Sequence, residues 1–288
     1  MLLGAHLSTQ GGLHKALDKA GVLGFSTVAL FVRNQVQWRV PELTDAAVRT
    51  FHQTRERLRL SPVIAHGSYL MNLAGRSDVR RKSIKALSTD LRRSRRLGID
   101  AFVLHPGTNP DAEEGIRLIA DGLNTAAASL PDGPRILLET TAGQGNSIGY
   151  TFEQLAALLD RLDAPGRFGA CFDTCHVFAA GYDLRTPAAY EATMDAFDRV
   201  LGLGRLEAVH LNDSKRPLGS RVDRHEHIGR GKIGRSGLGH LIRDRRLADV
   251  PLILETPKGK DDRGRDWDAV NARTVRSLLH PRPKETAR

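Results

Sequence analysis

Eight short apolar runs recur along the whole chain, and their spacing limits the folds that it can adopt. They lie at 2–7, 27–32, 62–67, 101–106, 135–140, 168–174, 206–212 and 252–256. Runs that are apolar on both faces are typical of buried parallel strands. Helix-like stretches at 77–97, 112–129, 151–160 and 187–200 lie between them. This alternation predicts an α/β fold, and eight such units predict a (β/α)8 TIM barrel rather than an open sheet.

The 288 residues contain no linker long enough to divide the chain. We therefore expect one domain over 1–280, followed by a polar, flexible tail at 281–288. No apolar run approaches the ~20 residues of a membrane-spanning helix, and the N-terminus lacks the features of a secretory signal. The two cysteines cannot form a disulfide framework, which favours a cytoplasmic protein. No surplus apolar surface can be read from the sequence, so we expect a monomer.

The charge balance favours a polyanionic partner. Lys and Arg number 43 against 33 Asp and Glu, a net charge of +10, and a basic surplus attracts nucleic acid. Two segments concentrate it. The run at 76–96 is interpreted as the solvated face of an outer helix, whereas the loop at 215–235 is interpreted as a surface that follows DNA phosphates.

The residues that close the apolar runs are the strongest functional signal. Six consecutive runs end in His, Asp or Glu, namely His66, His105, Glu139, Asp173, His210 and Glu255. Because the carboxyl ends of parallel strands meet at one mouth of a barrel, these side chains are expected to converge. So many carboxylates and imidazoles in one place would repel and desolvate one another without cations. The mouth is therefore predicted to bind metal ions, and this ligand chemistry suits zinc or manganese.

Two further clusters extend the predicted site. His176 follows Asp173 closely, and Asp223 lies two residues before His225, so that both point to one side of an extended segment. His227 lies on the same side, and spacing alone does not choose between the two histidines. Nine ligands suit three divalent cations, whose net positive charge would attract a phosphate and favour phosphodiester hydrolysis. Cys171 and Cys175 are interpreted as buried packing residues.

Two other functions are consistent with parts of this pattern. A metal-dependent TIM-barrel sugar isomerase or epimerase also gathers Glu, Asp, His and Glu at successive strand ends, but it leaves the remaining ligands and the basic surplus unexplained. A non-catalytic DNA-binding barrel has no need of a complete metal site. A count of bound metal and a nicking assay separate these alternatives.

Longer motifs resemble one known family. They are LLETTAGQG at 137–145, FDTCHVFAAGYD at 172–183, HLNDSK at 210–215, GSRVDRH at 219–225 and LILETP at 252–257. In these motifs the chain resembles endonuclease IV, the zinc-dependent apurinic/apyrimidinic endonuclease of base excision repair. The likeness extends over essentially the whole predicted barrel.

The resemblance implies a hydrolase with three zinc ions per chain. His66, His105 and Glu139 would hold the first zinc, and Glu139 would bridge to a second that is also held by Asp173, His210 and Glu255. His176, Asp223 and His225 would hold the third, so the resemblance selects His225 over His227. Glu139 and Glu255 are the predicted catalytic carboxylates. The implied reaction cuts duplex DNA 5′ to an abasic site and leaves a 3′-hydroxyl and a 5′-deoxyribose phosphate. The resemblance is also compatible with a 3′-phosphodiesterase activity.

The resemblance also implies the DNA contacts. Members of the family insert side chains into the DNA helix at the lesion, and the corresponding residues here are Tyr69 and Leu70. A second loop contributes Asn34, Gln35, Val36 and Gln37, and Val36 stands where the best-known members carry an arginine. Lys215, Arg221 and Arg224 are the predicted phosphate contacts of the long basic loop.

Overall fold

The computed structural model describes residues 1–279, and eight parallel strands form its centre. The strands are β1 (Leu3–Ala5), β2 (Val28–Phe31), β3 (Val63–His66), β4 (Ala101–Leu104), β5 (Arg135–Glu139), β6 (Phe168–Asp173), β7 (Leu206–His210) and β8 (Leu252–Leu254). Each lies inside one of the predicted apolar runs. The predicted tail at 281–288 lies outside the described residues.

The strands pair in sequence order around a barrel. β2 to β8 follow one another, and β8 pairs with β1 through the partners Ala5 and Leu254. A parallel bridge between His6 and Ala29 joins β1 to β2 and closes the circle. The predicted (β/α)8 TIM barrel is confirmed.

Helices surround the strands. Within residues 1–279 they are α1 (Leu13–Val22), α2 (Asp45–Leu58), α3 (Ser77–Arg96), α4 (Ala112–Ala128), α5 (Phe152–Leu159), α6 (Thr174–Ala180), α7 (Pro187–Leu201), α8 (Gly234–Ile242) and α9 (Trp267–Leu279). Several begin where the sequence supplies an N-cap: Thr44, Asp111, Thr151 and Thr186 each accept a hydrogen bond from a backbone N–H three residues later. In the described part of the chain, no helix combines the length and the apolar character needed to cross a membrane.

Two apolar clusters stabilise the barrel and hold its mouth in place. A small cluster fills the interior with one or two residues from each of seven strands: Ala29, Ile64, Ala101, Val103, Leu137, Cys171, Ala208 and Ile253. A larger cluster lies between the strands and the helices. Because the interior is packed with side chains, the polar residues that end the strands lie above it at one rim.

The basic run on α3 differs from the predicted solvated face. Arg93 and Arg96 donate hydrogen bonds to backbone carbonyls of the segment after β2, and Arg80 donates to the carbonyl of Leu118. Arg81, Lys82 and Lys85 are exposed. The run is therefore part solvated face and part structural support, because a guanidinium can reach several carbonyls at once.

Candidate metal centre

The strand ends and the segments that follow them bring all nine predicted ligands into one cluster at the rim. Their donor atoms form four overlapping groups, within each of which the atoms lie within 4.8 Å of one another. The groups are His66, Glu139, His210 and Glu255; His105, Glu139 and His176; Asp173, Cys175 and His225; and His176, Asp223 and His225. The convergence expected from parallel strands is thus observed.

Glu139, at the end of β5, lies at the centre of the cluster and is fully buried. Its Oε2 lies 3.0 Å from Nε2 of His66 and 3.1 Å from Nε2 of His105. Its Oε1 lies 2.8 Å from Nδ1 of His210. The two oxygens of one carboxylate therefore face two separate sets of imidazoles, which is the geometry of a bridging ligand.

Glu255 extends the side of the cluster that contains His210, whereas Oδ2 of Asp173 lies 3.5 Å from Nε2 of His225. Oε2 of Glu255 lies 3.2 Å from Nδ1 of His210. Oδ2 of Asp173 accepts a hydrogen bond from Nδ2 of Asn212 at 2.7 Å. Since Asp173 ends β6 and Glu255 follows β8, strands on either side of β7 supply these carboxylates.

A third set lies where the long loop at 213–234 folds back over the mouth. Asp223 places Oδ2 at 3.2 Å from Nε2 of His176 and Oδ1 at 3.3 Å from Nε2 of His225. The two Nε2 atoms are 3.4 Å apart. A short ribbon that pairs Asp213–Ser214 with His225–Glu226 holds the loop in this position.

Hydrogen bonds to backbone carbonyls orient three of the imidazoles. Nδ1 of His66, His176 and His225 lies at 2.8, 2.8 and 3.0 Å from the carbonyl oxygens of Gly67, Thr140 and Glu255, respectively. A protonated Nδ1 that donates to a carbonyl leaves the unprotonated Nε2 free to bind a cation, an arrangement common in metal sites.

The electrostatics of the cluster match its geometry. Burial opposes ionisation of Glu139, but the imidazoles of His210 and His105 outweigh it and hold the pKa of Glu139 well below its ordinary value. Burial likewise opposes the charged form of His176, yet Asp173 and Asp223 raise the pKa of that imidazole well above 6.5. Protons on the imidazoles thus balance buried carboxylates, which is the role that cations fill in a metal site. The donor set therefore fits divalent cations.

The predicted ambiguity between two histidines is resolved by their packing. His225 faces Asp223, whereas the ring of His227 stacks on Trp267 with centroids 3.6 Å apart. Nδ1 of His227 also lies 3.1 Å from Nδ2 of Asn271. His227 is thus occupied by contacts with α9.

Both cysteines are buried, free thiols, in line with the prediction. Cys171 belongs to the barrel interior, and burial raises its pKa to about 11. Cys175 lies beside Asp173 and His225, and burial raises its pKa to about 12. Burial therefore favours the neutral thiol at both positions.

Sequence reasoning missed residues that orient the ligands. His6, after β1, places Nδ1 at 2.9 Å from Oε1 of Glu255. Asn212 bonds both Asp173 and the backbone N–H of Glu255, and Gln144 accepts from the backbone N–H of Asp223 at 3.0 Å. His6 lies near the end of the first apolar run, so the strand-end pattern already contained a signal for it. Asn212 and Gln144 lie in the quoted motifs, but their partners depend on the fold.

Two cavities flank the cluster. One of about 290 Å³ is lined by residues that include His66, Tyr69, His105, His176, Asp223 and Arg224. The other, about 730 Å³, is lined by residues that include His6, Asn34, Gln35, Val36, Tyr69 and Glu255. Leu70, Gln37, Lys215 and Arg221 lie on the neighbouring loops, outside the lining of these two cavities.

The predicted wedge residues differ in exposure. Tyr69 is 62% exposed and Val36 is 65% exposed, and Trp38 beside them is 38% exposed. Leu70 is half-buried. Arg221 places its guanidinium 4.7 Å from the ring centre of Tyr150. Exposed apolar side chains next to a polar cavity mark a binding surface, and Trp38 adds to the side chains assigned to it.

Comparison with known proteins agrees with this architecture. The sequence model of the family described as xylose isomerase-like TIM barrel matches residues 17–278. A solved D-tagatose 3-epimerase-like protein shares the fold, with a TM-score of 0.73 at 19% identity, over 97% of each chain. The chain is thus a xylose isomerase-like TIM-barrel protein with clustered imidazole and carboxylate ligands.

More similar proteins narrow the class. A probable endonuclease 4 from Geobacter sulfurreducens is 46% identical over 284 residues, covering 97% of this chain and 95% of that protein. One from Chloroflexus aurantiacus is 42% identical over 280 residues, covering 96% and 97%. The crystal structure of endonuclease IV from Thermus thermophilus superposes with a TM-score of 0.86 at 38% identity, covering 97% and 99%. The chain belongs to the endonuclease IV family.

Proposed function

We propose that this chain is a zinc-dependent endonuclease of base excision repair. It hydrolyses the phosphodiester bond 5′ to an abasic site in duplex DNA and leaves a 3′-hydroxyl and a 5′-deoxyribose phosphate. The observation that carries the proposal is the cluster of nine donor residues at the rim, beside exposed apolar side chains. Relatives named probable endonuclease 4, at 42% and 46% identity, support it.

The distances support three cation positions, of which the first two would share Glu139. His66 and His105 would hold the first ion through Nε2, with Oε2 of Glu139. The opposite oxygen of Glu139 would hold the second, together with Asp173, His210 and Glu255. His176, Asp223 and His225 would hold the third. Bound zinc supplies Lewis acidity toward a phosphate and generates a nucleophile from water at neutral pH.

The protein residues around these positions bind and orient the DNA. We assign Tyr69, Leu70 and the loop residues Asn34, Gln35, Val36 and Gln37 to the gap left by the missing base. Insertion there costs least where no base is left to pair, because extrusion of an intact nucleotide costs a few kcal/mol. Lys215, Arg221 and Arg224 are assigned to phosphates on the same face. Glu139 and Glu255 are the carboxylates that we assign to catalysis, as ligands of the cations that would bind the reacting phosphate.

We further propose that the protein acts as a monomer in the cytoplasm. Both thiols are free and buried, as expected for a protein of a reducing compartment. Light scattering after size exclusion tests the oligomeric state, with a mass of one chain expected. A mass of two chains would contradict this assignment without affecting the proposed chemistry.

The proposal is tested with a labelled duplex that contains one abasic site. The purified protein is expected to nick the strand 5′ to that site, to bind about three zinc ions by mass spectrometry, and to lose activity after strong chelation. Zinc is then expected to restore nicking. An intact duplex of the same sequence serves as the control substrate. A protein that holds three zinc ions and leaves the abasic strand whole would overturn the proposal.

A sugar isomerase or epimerase is disfavoured by the same geometry. Such an enzyme uses one or two metal positions, for which Glu139, Asp173, His210 and Glu255 would suffice. The likeness to the epimerase-like structure, at 19% identity, concerns the fold alone. The third set, around Asp223, would then bind no metal ion. One exchangeable manganese per chain is therefore the result that would favour this alternative.

A further inference from the structure

The loop that carries Val36 is held on both sides of its exposed tip. We call residues 34–38 the tip loop. On one side, Oγ of Ser68 donates a hydrogen bond to the carbonyl of Gln35 at 2.6 Å. On the other side, Nη1 of Arg33 donates to the carbonyl of Trp38 at 3.1 Å. Within the loop, the N–H of Val36 donates to Oδ1 of Asn34 at 2.9 Å. Hydrogen bonds thus hold the tip loop in place on both sides of Val36.

Arg33 connects the tip loop to α3. Its side chain is 2% exposed, and its Nε lies 2.7 Å from one carboxylate oxygen of the fully buried Asp90 and 2.8 Å from the other. Its Nη2 donates to the carbonyl of Ala86 at 3.1 Å. Each of the three guanidinium nitrogens therefore has an acceptor, which fixes the plane of the group.

Neighbouring arginines on α3 hold the rest of the segment after β2. Arg93 donates to the carbonyl of Val32 at 2.9 Å and to that of Pro41 at 2.8 Å. Arg96 donates to the carbonyl of Leu43 at 2.8 Å. Arginine side chains therefore hold the segment after β2 along its length, and Arg33 is the one nearest the tip loop.

A contribution to stability alone does not explain a buried pair of this kind. The desolvation of two charges offsets their attraction, and apolar replacements of similar volume are often as stable. What such a pair supplies is a defined geometry. A loop that is ordered before binding also loses less conformational entropy when its ligand arrives.

We propose that Arg33, paired with Asp90, is a positioning residue for lesion recognition. It holds the tip loop so that Val36 and Trp38 face duplex DNA beside the metal centre, ready for a gap in the base stack. This inference rests on the proposed function, because it concerns the same DNA-binding face. Arg33 itself does not touch the DNA and does not hold a cation.

Replacement by lysine tests the geometry while keeping the charge. Arg33→Lys retains a cation beside Asp90 but lacks the planar fork that serves Trp38 and Ala86 together. We expect the KM for abasic duplex to rise about tenfold to a hundredfold. The kcat and the zinc content are expected to stay at the native values. Arg95→Lys is the matched control, since Arg95 lies on α3 in an exposed ion pair with Asp132, and its KM is expected to be unchanged.

A second measurement reports on the loop without any reaction. The chain has two tryptophans, so in a Trp267→Phe background fluorescence comes from Trp38 alone. Arg33→Lys in that background is expected to increase the quenching of Trp38 by acrylamide, and Arg95→Lys is not. Unchanged quenching would show that the loop keeps its position without the guanidinium, which would overturn the inference.

A double variant covers the case in which Arg33→Lys does not fold. Arg33→Met with Asp90→Leu removes both charges and is expected to fold, because apolar replacement of a buried pair is often neutral. The same rise in KM and in quenching is expected. A native KM in a folded Arg33 variant, or equal losses of kcat and zinc, would contradict a positioning role. If the native protein itself does not cut abasic duplex, the proposed function fails. The quenching measurement still tests whether Arg33 holds the tip loop in position.

Discussion

Nδ1 of His6 lies 2.9 Å from Oε1 of Glu255, which joins the first strand of the barrel to the last. The other oxygen of Glu255 faces His210 at 3.2 Å. An imidazole that donates to one oxygen of a ligating carboxylate fixes its rotation and leaves the second oxygen for the cation. This contact therefore lies where the first and last strands meet, and it orients a carboxylate of the candidate metal centre.

Loss of the His6 contact is expected to weaken metal binding. His6→Phe keeps an aromatic ring beside Phe31, 4.3 Å away, but removes the donor to Glu255. We expect the affinity for zinc to fall about tenfold to a hundredfold, the usual effect of removing such a partner. Competition with a chromophoric chelator measures it. His6→Asn, which keeps an N–H at a similar position, is the control and is expected to recover most of the affinity; equal losses in both variants would contradict the hydrogen-bonding role.

Glu139→Gln tests the bridging carboxylate. The amide keeps the size of the side chain but loses the charge that faces His66 and His210. We expect about one zinc fewer per chain and a fall in the nicking rate of about a thousandfold or more, because charge stabilisation at the phosphate is lost. Metal analysis and single-turnover nicking measure the two effects. Glu114→Gln, on the outer surface of α4, is expected to behave as the native protein, and a fully active Glu139→Gln would exclude the shared-ligand assignment.

Val36→Arg is expected to tighten binding to abasic duplex. Val36 is exposed at the tip of its loop, where a longer cationic side chain can reach a phosphate. One added phosphate contact should also steepen the dependence of binding on salt by about one unit of slope. Fluorescence anisotropy over a salt series measures both quantities. Val36→Gln is the uncharged control, and an unchanged or weaker affinity for Val36→Arg would show that the tip does not approach the backbone.

Lys215→Ala tests the basic loop over the mouth. Lys215 is exposed, and loss of one phosphate contact is expected to make the salt dependence shallower by about one unit of slope. The weakening should be similar for abasic and intact duplexes, because phosphate contacts are not specific. Lys85→Ala, on the outer face of α3, should leave the slope unchanged. If the two variants behave alike, the loop is not the phosphate surface.

His240 on α8 gives the fold a predicted sensitivity to acid. Burial, assisted by Arg243, lowers the pKa of His240 below 6.5, so the unfolded chain binds this proton more tightly than the folded one. The contribution of neutral His240 to the free energy of unfolding is therefore fully present above about pH 6.5. It is lost as the pH falls through the lower pKa of the folded state. His240→Phe keeps a ring beside Tyr190, 6.0 Å away, and cannot titrate. Urea unfolding is expected to show a smaller loss of unfolding free energy for this variant between about pH 7.5 and about pH 5.5; an equal loss would contradict the prediction.

The barrel and the strand-end members of the donor cluster were predictable because both follow from local pattern. Each buried strand appears as a short apolar run, and the residue that ends it must lie at the rim whatever the surrounding loops do. His66, Glu139 and Asp173 could therefore be identified before any contact was known. The pattern was weaker for His6, because the predicted run extended past it to residue 7.

Side-chain directions in loops were decided by tertiary packing alone. His225 and His227 share one side of a short segment in the sequence pattern, yet Trp267, forty residues further on, stacks against His227 and leaves His225 to face Asp223. Arg33 and Asp90 likewise meet only because β2 and α3 are neighbours in the folded barrel. The sequence by itself determined the strands, the rim and the donor residues at the strand ends, since these depend on periodicity and chain direction. The orientation of the ligands and the anchoring of the tip loop depended on contacts between distant segments, whose positions exist only once the barrel has closed.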